Sequence, residues 1–326
     1  MKHFDGFPHV MVSQQFSREW LEEEFFPLSD EMEKVFHGGG CDILKGKRMV
    51  SLFFQPSTRT KMSSEMAMDY LGGKVVFQTE NAREFSSAAK GESFRDGIKV
   101  AARYRPDIIN LRYDRQIALE VKAENDREVC DKIAAISDTP IINAGDRNPG
   151  QHPTQGLLDI RTIQNCQGGI DGKSIVMVGD LWSGRTVRSL CYQLGKFRHI
   201  SIDFVSPKNL QMKDDVKDYL HRHGIPFTES TDLRKVVSEC DVIYQTRTQT
   251  ECGSSMDKKE GCFSINGEIL SLLKKKDAII MHPLPRGDEI SEDVDNDPRA
   301  VYLTKQIDSG LVCRMALFTI IMGGKN

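Results

Sequence analysis

The chain has 326 residues, 39% of them hydrophobic and 28% charged, with a formal net charge of −3. That length accommodates two domains of ordinary size, and the balance of residue types excludes a disordered chain. The slight negative charge excludes a globally basic surface for nucleic acid or anionic membrane, while leaving room for a local basic pocket.

The start, Met1-Lys2-His3-Phe4-Asp5-Gly6, lacks the apolar stretch of a signal peptide, and no run approaches the ~18 apolar residues of a membrane helix. Eight cysteines (Cys41, Cys130, Cys166, Cys191, Cys240, Cys252, Cys262 and Cys313) are scattered without a CxxC pair or zinc-ligand spacing. A cytoplasmic protein with reduced structural thiols and no metal is expected.

Along the chain, short β-rich apolar runs alternate with amphipathic segments, the pattern of α/β units around parallel sheets. A helix is predicted over Ser17–Val35 and a strand over Met49–Phe54. Directly after that strand come Ser57, Thr58, Arg59 and Thr60, which open a helical pattern over Lys61–Leu71. A helix start presents unpaired N–H groups and partial positive charge, so hydroxyls and a guanidinium there suit a phosphate. Helix capping by Ser57 or Thr58, with Arg59 on the surface, accounts for the same residues.

Strands are predicted next at Val75–Gln78, Asp107–Arg112 and Pro140–Ala144, with a helix over Gln116–Ile136. Gln151-His152-Pro153-Thr154-Gln155 then precedes the apolar helix Gln155–Asn165. His152 can donate to a polarised carbonyl oxygen, or it is an ordinary packed histidine; no nearby spacing makes it a metal ligand.

The Gly-rich break at Gln167–Gly172 marks the domain change: 1–167, rejoined by a C-terminal helix within 306–326, and 168–305. Strands follow at Ser174–Gly179, Ile200–Val205, Val242–Gln245 and Ala278–Met281, with helices over Arg185–Phe197 and Gly310–Met322. Gly179-Asp180-Leu181-Trp182-Ser183-Gly184-Arg185 lacks the GxGxxG pattern, which leaves dinucleotide binding a weak alternative. Thr246-Arg247-Thr248-Gln249 and His282-Pro283-Leu284-Pro285-Arg286 each end a strand. An arginine there grips a carboxylate bidentately or makes a surface ion pair, and the proline pair is a rigid turn. The expected fold is two α/β domains, each a mainly parallel sheet flanked by helices, with the active site in the interdomain cleft.

Together these segments resemble the aspartate and ornithine carbamoyltransferase family, in order along nearly the whole chain. The resemblance rests on Ser57-Thr58-Arg59-Thr60, His152-Pro153-Thr154-Gln155 and His282-Pro283-Leu284-Pro285. Asp180–Val187 and Arg247-Thr248-Gln249 are similar to the aspartate branch; the His-Cys-Leu-Pro and Ser-Met-Gly segments of the ornithine branch are missing. Two arginines also suit a dicarboxylate and repel an ornithine ammonium.

The resemblance implies transfer of the carbamoyl group of carbamoyl phosphate to the amine of L-aspartate, in de novo pyrimidine biosynthesis, with no cofactor. It implies that Ser57, Thr58, Arg59 and Thr60 hold the phosphate, and that Arg112 contacts phosphate and carbonyl oxygen. Arg59, Thr60, Arg112 and His152 are thereby the implied catalytic residues, with Thr60, Arg112 and His152 on the oxyanion. Gln155 meets the carbamoyl amine, Arg185 the α-carboxylate, and Arg247 with Gln249 the β-carboxylate. The backbone carbonyls of Leu284 and Pro285, beside a cis peptide, orient the amines. Ser86 and Lys90 match a loop donated by a neighbouring subunit, implying a homotrimer with shared active sites; a regulatory chain or a dihydroorotase partner is left open. Three departures touch the acceptor side: Gln55 where Glu is common, Cys252 where Arg is common, and Thr250 where Lys is frequent. They keep two alternatives in view, a transcarbamoylase for another acidic or modified amino acid and a non-catalytic subunit.

Overall fold

Runs of three to six residues rich in Val, Ile, Leu and Phe, too brief for helices, make two parallel sheets. The computed structural model describes residues 9–123, 126–146, 150–247 and 263–323. The chain divides into two compact units, Met1–Thr154 with Gly310–Asn326, and Gln155–Ser309. Sequence reading places the change at 167/168 and 305/306; the structural boundaries fall within helices, Pro153–Gln167 and Lys305–Met322.

The first unit holds β1 (Arg48–Phe53), β2 (Lys74–Thr79), β3 (Ile108–Arg112) and β4 (Ile141–Asn143) in the order β2-β1-β3-β4. Its helices are α1 (Arg18–Trp20), α2 (Phe26–His37), α3 (Thr58–Tyr70), α4 (Ala82–Phe85), α5 (Phe94–Arg103), α6 (Arg115–Glu120) and α7 (Asp126–Ala134). All of β3, and β1 beyond Arg48, are buried, as strands covered on both faces must be. Leu52, Ile109 and Leu111 pack there with Phe94, Ile98 and Ile133 of α5 and α7. β2 lies at one edge of the sheet, and its Val76 and Phe77 are half exposed at 51% and 52%.

Helix α8 (Pro153–Gln167) leads into the second unit, where β5 (Ser174–Val178), β6 (Ser201–Val205), β7 (Phe227–Ser230), β8 (Val242–Gln245) and β9 (Ile279–Met281) lie in the order β7-β6-β5-β8-β9. α9 (Arg185–Leu194), α10 (Asp214–Arg222) and α11 (Gly267–Leu272) complete it, and α12 (Lys305–Met322) runs back to the first unit. Val176, Val178, Ile243 and Ile280 centre its core.

Four features depart from the sequence expectations. The helix expected over Gln116–Ile136 is interrupted: α6 stops at Val121, and Lys122 takes φ +52°. A left-handed C-terminal residue ends helices, but it is usually glycine, so lysine hid the stop. β7 is an edge strand with one large apolar residue, Phe227, and an edge need not be apolar. α5 and α10 are further helices; α5 is announced by Ser93, whose hydroxyl accepts from Asp96 N at 3.1 Å. The segment expected as one helix over Ser17–Val35 contains a π turn, Leu21–Phe25, directly before Pro27, which has no N–H for the α ladder.

Strand order reverses between β1 and β3 in the first sheet and between β5 and β8 in the second. At such points successive connections leave toward opposite faces, opening a crevice at the carboxyl ends of the strands.

Candidate active site

At the first reversal, β1 ends in Phe53 and delivers Ser57 to the N-cap of α3, where its hydroxyl makes no capping bond. The first-turn amides of a helix lack intrahelical partners. Ser57 is half-buried, Thr58 and Arg59 are exposed, and Thr60 is buried. Strand β3 delivers Arg112, buried to 6% exposure, whose Nη1 donates to the Ala144 carbonyl at 3.1 Å. The loop after β4 brings His152, with Nε2 3.2 Å from Thr60 Oγ1 and Nδ1 3.3 Å from Thr154 Oγ1. Arg314 donates to that Thr154 oxygen at 3.3 Å, which favours pointing the hydroxyl hydrogen at Nδ1. In that tautomer Nε2 carries the ring proton and is the donor on the Thr60 side.

Gly145 is where these groups meet. Its φ is +101°, and a Cβ there would lie 2.8 Å from Arg112 Nη1 and 2.8 Å from His152 Cδ2. Asp146, buried at 4%, accepts from Tyr113 Oη at 2.8 Å and Asn143 Nδ2 at 3.0 Å, and also from the backbone N–H of Gln151. Burial, then the Asp146 charge, pushes the Tyr113 phenol well above its ordinary range, so Tyr113 stays a donor. Gln151 Oε1 accepts from Ser13 N at 2.8 Å, tying the same loop to the segment before α1. Thr60 on α3, Arg112 on β3 and His152 on this braced loop therefore present hydroxyl, guanidinium and imidazole groups. Ser86 caps the short 3₁₀ turn Ser87–Lys90 by accepting from Ala88 N at 3.2 Å, and Lys90 is exposed at its end. No hydrogen bond among the described residues joins Ser86 or Lys90 to Thr60, Arg112 or His152.

At the second reversal, Gly179 takes φ +116°, and a Cβ there would collide with the Thr246 carbonyl, so the ends of β5 and β8 approach closely. Asp180 Oδ1 accepts from Ser183 N at 2.9 Å and shapes the turn into α9, whose first residue is Arg185, half-buried. Arg247 follows β8, also half-buried; Gln249, Thr250 and Cys252 lie outside the described residues. β9 leads to the cis peptide Leu284–Pro285, with Leu284 at φ +54°. His282 braces that turn: Nδ1 accepts from Leu284 N at 2.7 Å, and Nε2 lies 2.8 Å from Glu289 Oε1. Gln155, on α8, donates Nε2 to Asp159 at 2.9 Å.

Residues 8–165 match the aspartate/ornithine carbamoyltransferase carbamoyl-P binding domain, and residues 171–321 match its Asp/Orn binding domain. The chain belongs to the aspartate/ornithine carbamoyltransferase family. An Arabidopsis thaliana chloroplastic aspartate carbamoyltransferase is 49% identical over 97% of this chain and 78% of its own. The aspartate carbamoyltransferase catalytic subunit of Methanopyrus kandleri is 39% identical over 97% of both chains. Among solved structures, the Trypanosoma cruzi aspartate transcarbamoylase in complex with carbamoyl phosphate and aspartate superposes with a TM-score of 0.85 at 34% identity, covering 95% of each chain.

Carbamoyltransferase motifs read from sequence find the groups that point at ligand, but not those that hold them. Gly145, Asp146 and Tyr113 in the first unit and Asp159 and Gln306 in the second are of that kind. Asp146 and Asp159 carry a usable signal, a lone acidic residue in an otherwise apolar or motif-bearing run, which needs donors if buried. Among the described residues no helix is long and apolar enough to cross a membrane, and no cluster of His, Cys, Asp and Glu is placed to hold a metal ion.

Proposed function

We propose that the protein is an aspartate carbamoyltransferase, moving the carbamoyl group of carbamoyl phosphate to the amine of L-aspartate to give N-carbamoyl-L-aspartate and phosphate, in de novo pyrimidine biosynthesis. The observation that carries the proposal is the convergence of Thr60, Arg112 and His152 around Gly145 at the first sheet's switch point. The neutral amine attacks the carbamoyl carbon, and the C=O electron pair moves onto oxygen. Thr60, Arg112 and the Nε2–H of His152 stabilise that oxyanion. Collapse breaks the C–O bond to phosphate, which leaves with the bond pair and takes the amine proton, so no side chain need act as general base. Donors already fixed before the charge develops are the strongest lever available to such a site.

Ser57, Thr58 and Arg59 at the start of α3 take the phosphate, supported by the uncommitted Ser57 hydroxyl and the helix end. Gln155 takes the carbamoyl amine, Arg185 the α-carboxylate, and Arg247 with Gln249 the β-carboxylate. Leu284 and Pro285 carbonyls orient the amines. A domain change at 167/168, with 306–326 returning, divides these roles between the two substrates.

A homotrimer with shared active sites, Ser86 and Lys90 coming from a neighbouring chain, is part of the proposal. The half-exposed Val76 and Phe77 of β2, with Met62 and Met66 of α3 exposed at 56% and 42%, support an edge that another copy covers. The compartment proposed is cytoplasmic or equally reducing: the six described cysteines are free, and burial pushes Cys240 up to about 12.

The test is phosphate release from carbamoyl phosphate with a panel of amine acceptors. Turnover with L-aspartate is expected. Turnover with other acidic amino acids while aspartate is refused establishes a different acceptor, and no turnover with any amine establishes a non-catalytic subunit.

A further inference from the structure

Asp159 is fully buried, one helical turn beyond Gln155. Its Oδ1 accepts from Gln155 Nε2 at 2.9 Å and Gln306 Nε2 at 2.7 Å, and its Oδ2 accepts from Tyr244 Oη at 2.7 Å. An ionised carboxylate can only accept, so each partner must present a donor. That settles both amide orientations. Gln155 commits its nitrogen to Asp159 and keeps its carbonyl oxygen as an acceptor. Gln306 does likewise, and its Oε1 accepts from His282 N at 2.9 Å. His282 in turn holds Leu284 N. The line Asp159–Gln306–His282–Leu284 thus ends at the Leu284 N–H, on the residue whose carbonyl precedes the cis peptide. All of these groups lie in the second unit.

We propose that Asp159 is a positioning residue that sets two acceptors, Gln155 Oε1 and the Leu284 carbonyl, for the two N–H donors of the carbamoyl –NH₂, so that the enzyme selects carbamoyl phosphate over acetyl phosphate. This rests on the carbamoyltransferase reading and adds its selectivity. Carbamoyl and acetyl phosphates differ by NH₂ against CH₃, nearly the same volume. Apolar packing cannot separate such isosteres well, whereas a pair of fixed acceptors left facing a methyl group can. Two donors and two acceptors match in number, and one carboxylate aligns both acceptors. Burial, then the Asp159 charge, keeps the Tyr244 phenol protonated well above its ordinary range, so the third arm of the clamp is a donor at any assay pH.

The experiment uses the full chain and compares half-saturation by carbamoyl phosphate with competitive inhibition by acetyl phosphate. Asp159→Asn places an amide donor where Oδ1 stood and lets Gln155 flip to present nitrogen. Carbamoyl phosphate should weaken on the order of tenfold, with acetyl phosphate changed less than about twofold. Equal weakening of both would show a purely structural role and overturn the proposal. If Asp159→Asn does not fold, Gln306→Met decides, since it keeps the Asp159–Gln155 contact while cutting the link to His282. The same selective loss is expected, and an equal loss overturns the idea. A wild-type protein that turns over no carbamoyl phosphate with any amine removes the carbamoyltransferase reading itself, a result distinct from unselective variants of an active enzyme.

Discussion

Arg112 is costly to bury and therefore informative. A guanidinium at 6% exposure must have its donors met, and one of them goes to the Ala144 carbonyl at 3.1 Å. Arg112→Ala should lower turnover about 100- to 1,000-fold, the usual cost of losing an oxyanion donor, while the protein stays folded by thermal melt. Turnover near wild type would remove it from the reaction. Arg247→Ala should raise the L-aspartate concentration needed for half-saturation far more than that of carbamoyl phosphate; an equal rise in both would contradict its assignment to the acceptor.

Glu289 offers a pH test of the same kind. Burial raises its carboxyl, but the His282 hydrogen bond and the Gly287 N–H outweigh that and hold it below its usual 4.5. A depressed folded value means stability fully present above the unfolded value and lost as pH falls through the folded one. The stability gap between wild type and Glu289→Gln, read from urea midpoints, should be widest near neutrality and close as pH falls below about 4.5. A gap independent of pH would mean that the carboxylate charge is not what matters there.

Among the elements, the turn after β4 decides the site. Gly145→Ala adds a methyl 2.8 Å from Arg112 Nη1 and His152 Cδ2 at a φ of +101°. Backbone strain alone costs about 1–3 kcal/mol, and the displaced donors should cut turnover at least about 100-fold. A stable, active Gly145→Ala would show that the two side chains need not meet there. Motifs at strand ends were legible because the strands are buried on both faces and the polar residues beyond them have no packing role. Thr60, Arg112 and His152 announce themselves that way. The stop at Lys122, the edge strand β7 and the partners that the carboxylates Asp146 and Asp159 find did not, for a common reason. Each depends on a partner distant in sequence or on a backbone conformation that its residue type rarely adopts. Asp159 meets Gln306 and Tyr244 only through the fold.

At the scale of the molecule, the proposed sharing of sites makes a prediction that no single chain can satisfy. Lys90→Ala and Arg112→Ala chains, each expected to be inactive alone, should recover measurable turnover when co-expressed and assembled together. Mixed assemblies with no activity would mean that every site is built from one chain.

The first unit is completed by residues from Gly310 onward, where Cys313, Met315, Ala316, Leu317 and Phe318 are buried and Arg314 reaches Thr154 at 3.3 Å. The second unit is continuous in sequence. On a ribosome, the 1–154 segment must therefore wait for α12, which is made after it, while the stretch between them can finish first. A nascent chain stalled with residues from Gly310 onward still in the exit tunnel would hold a protease-resistant 155–309 region beside an unfinished 1–154 one.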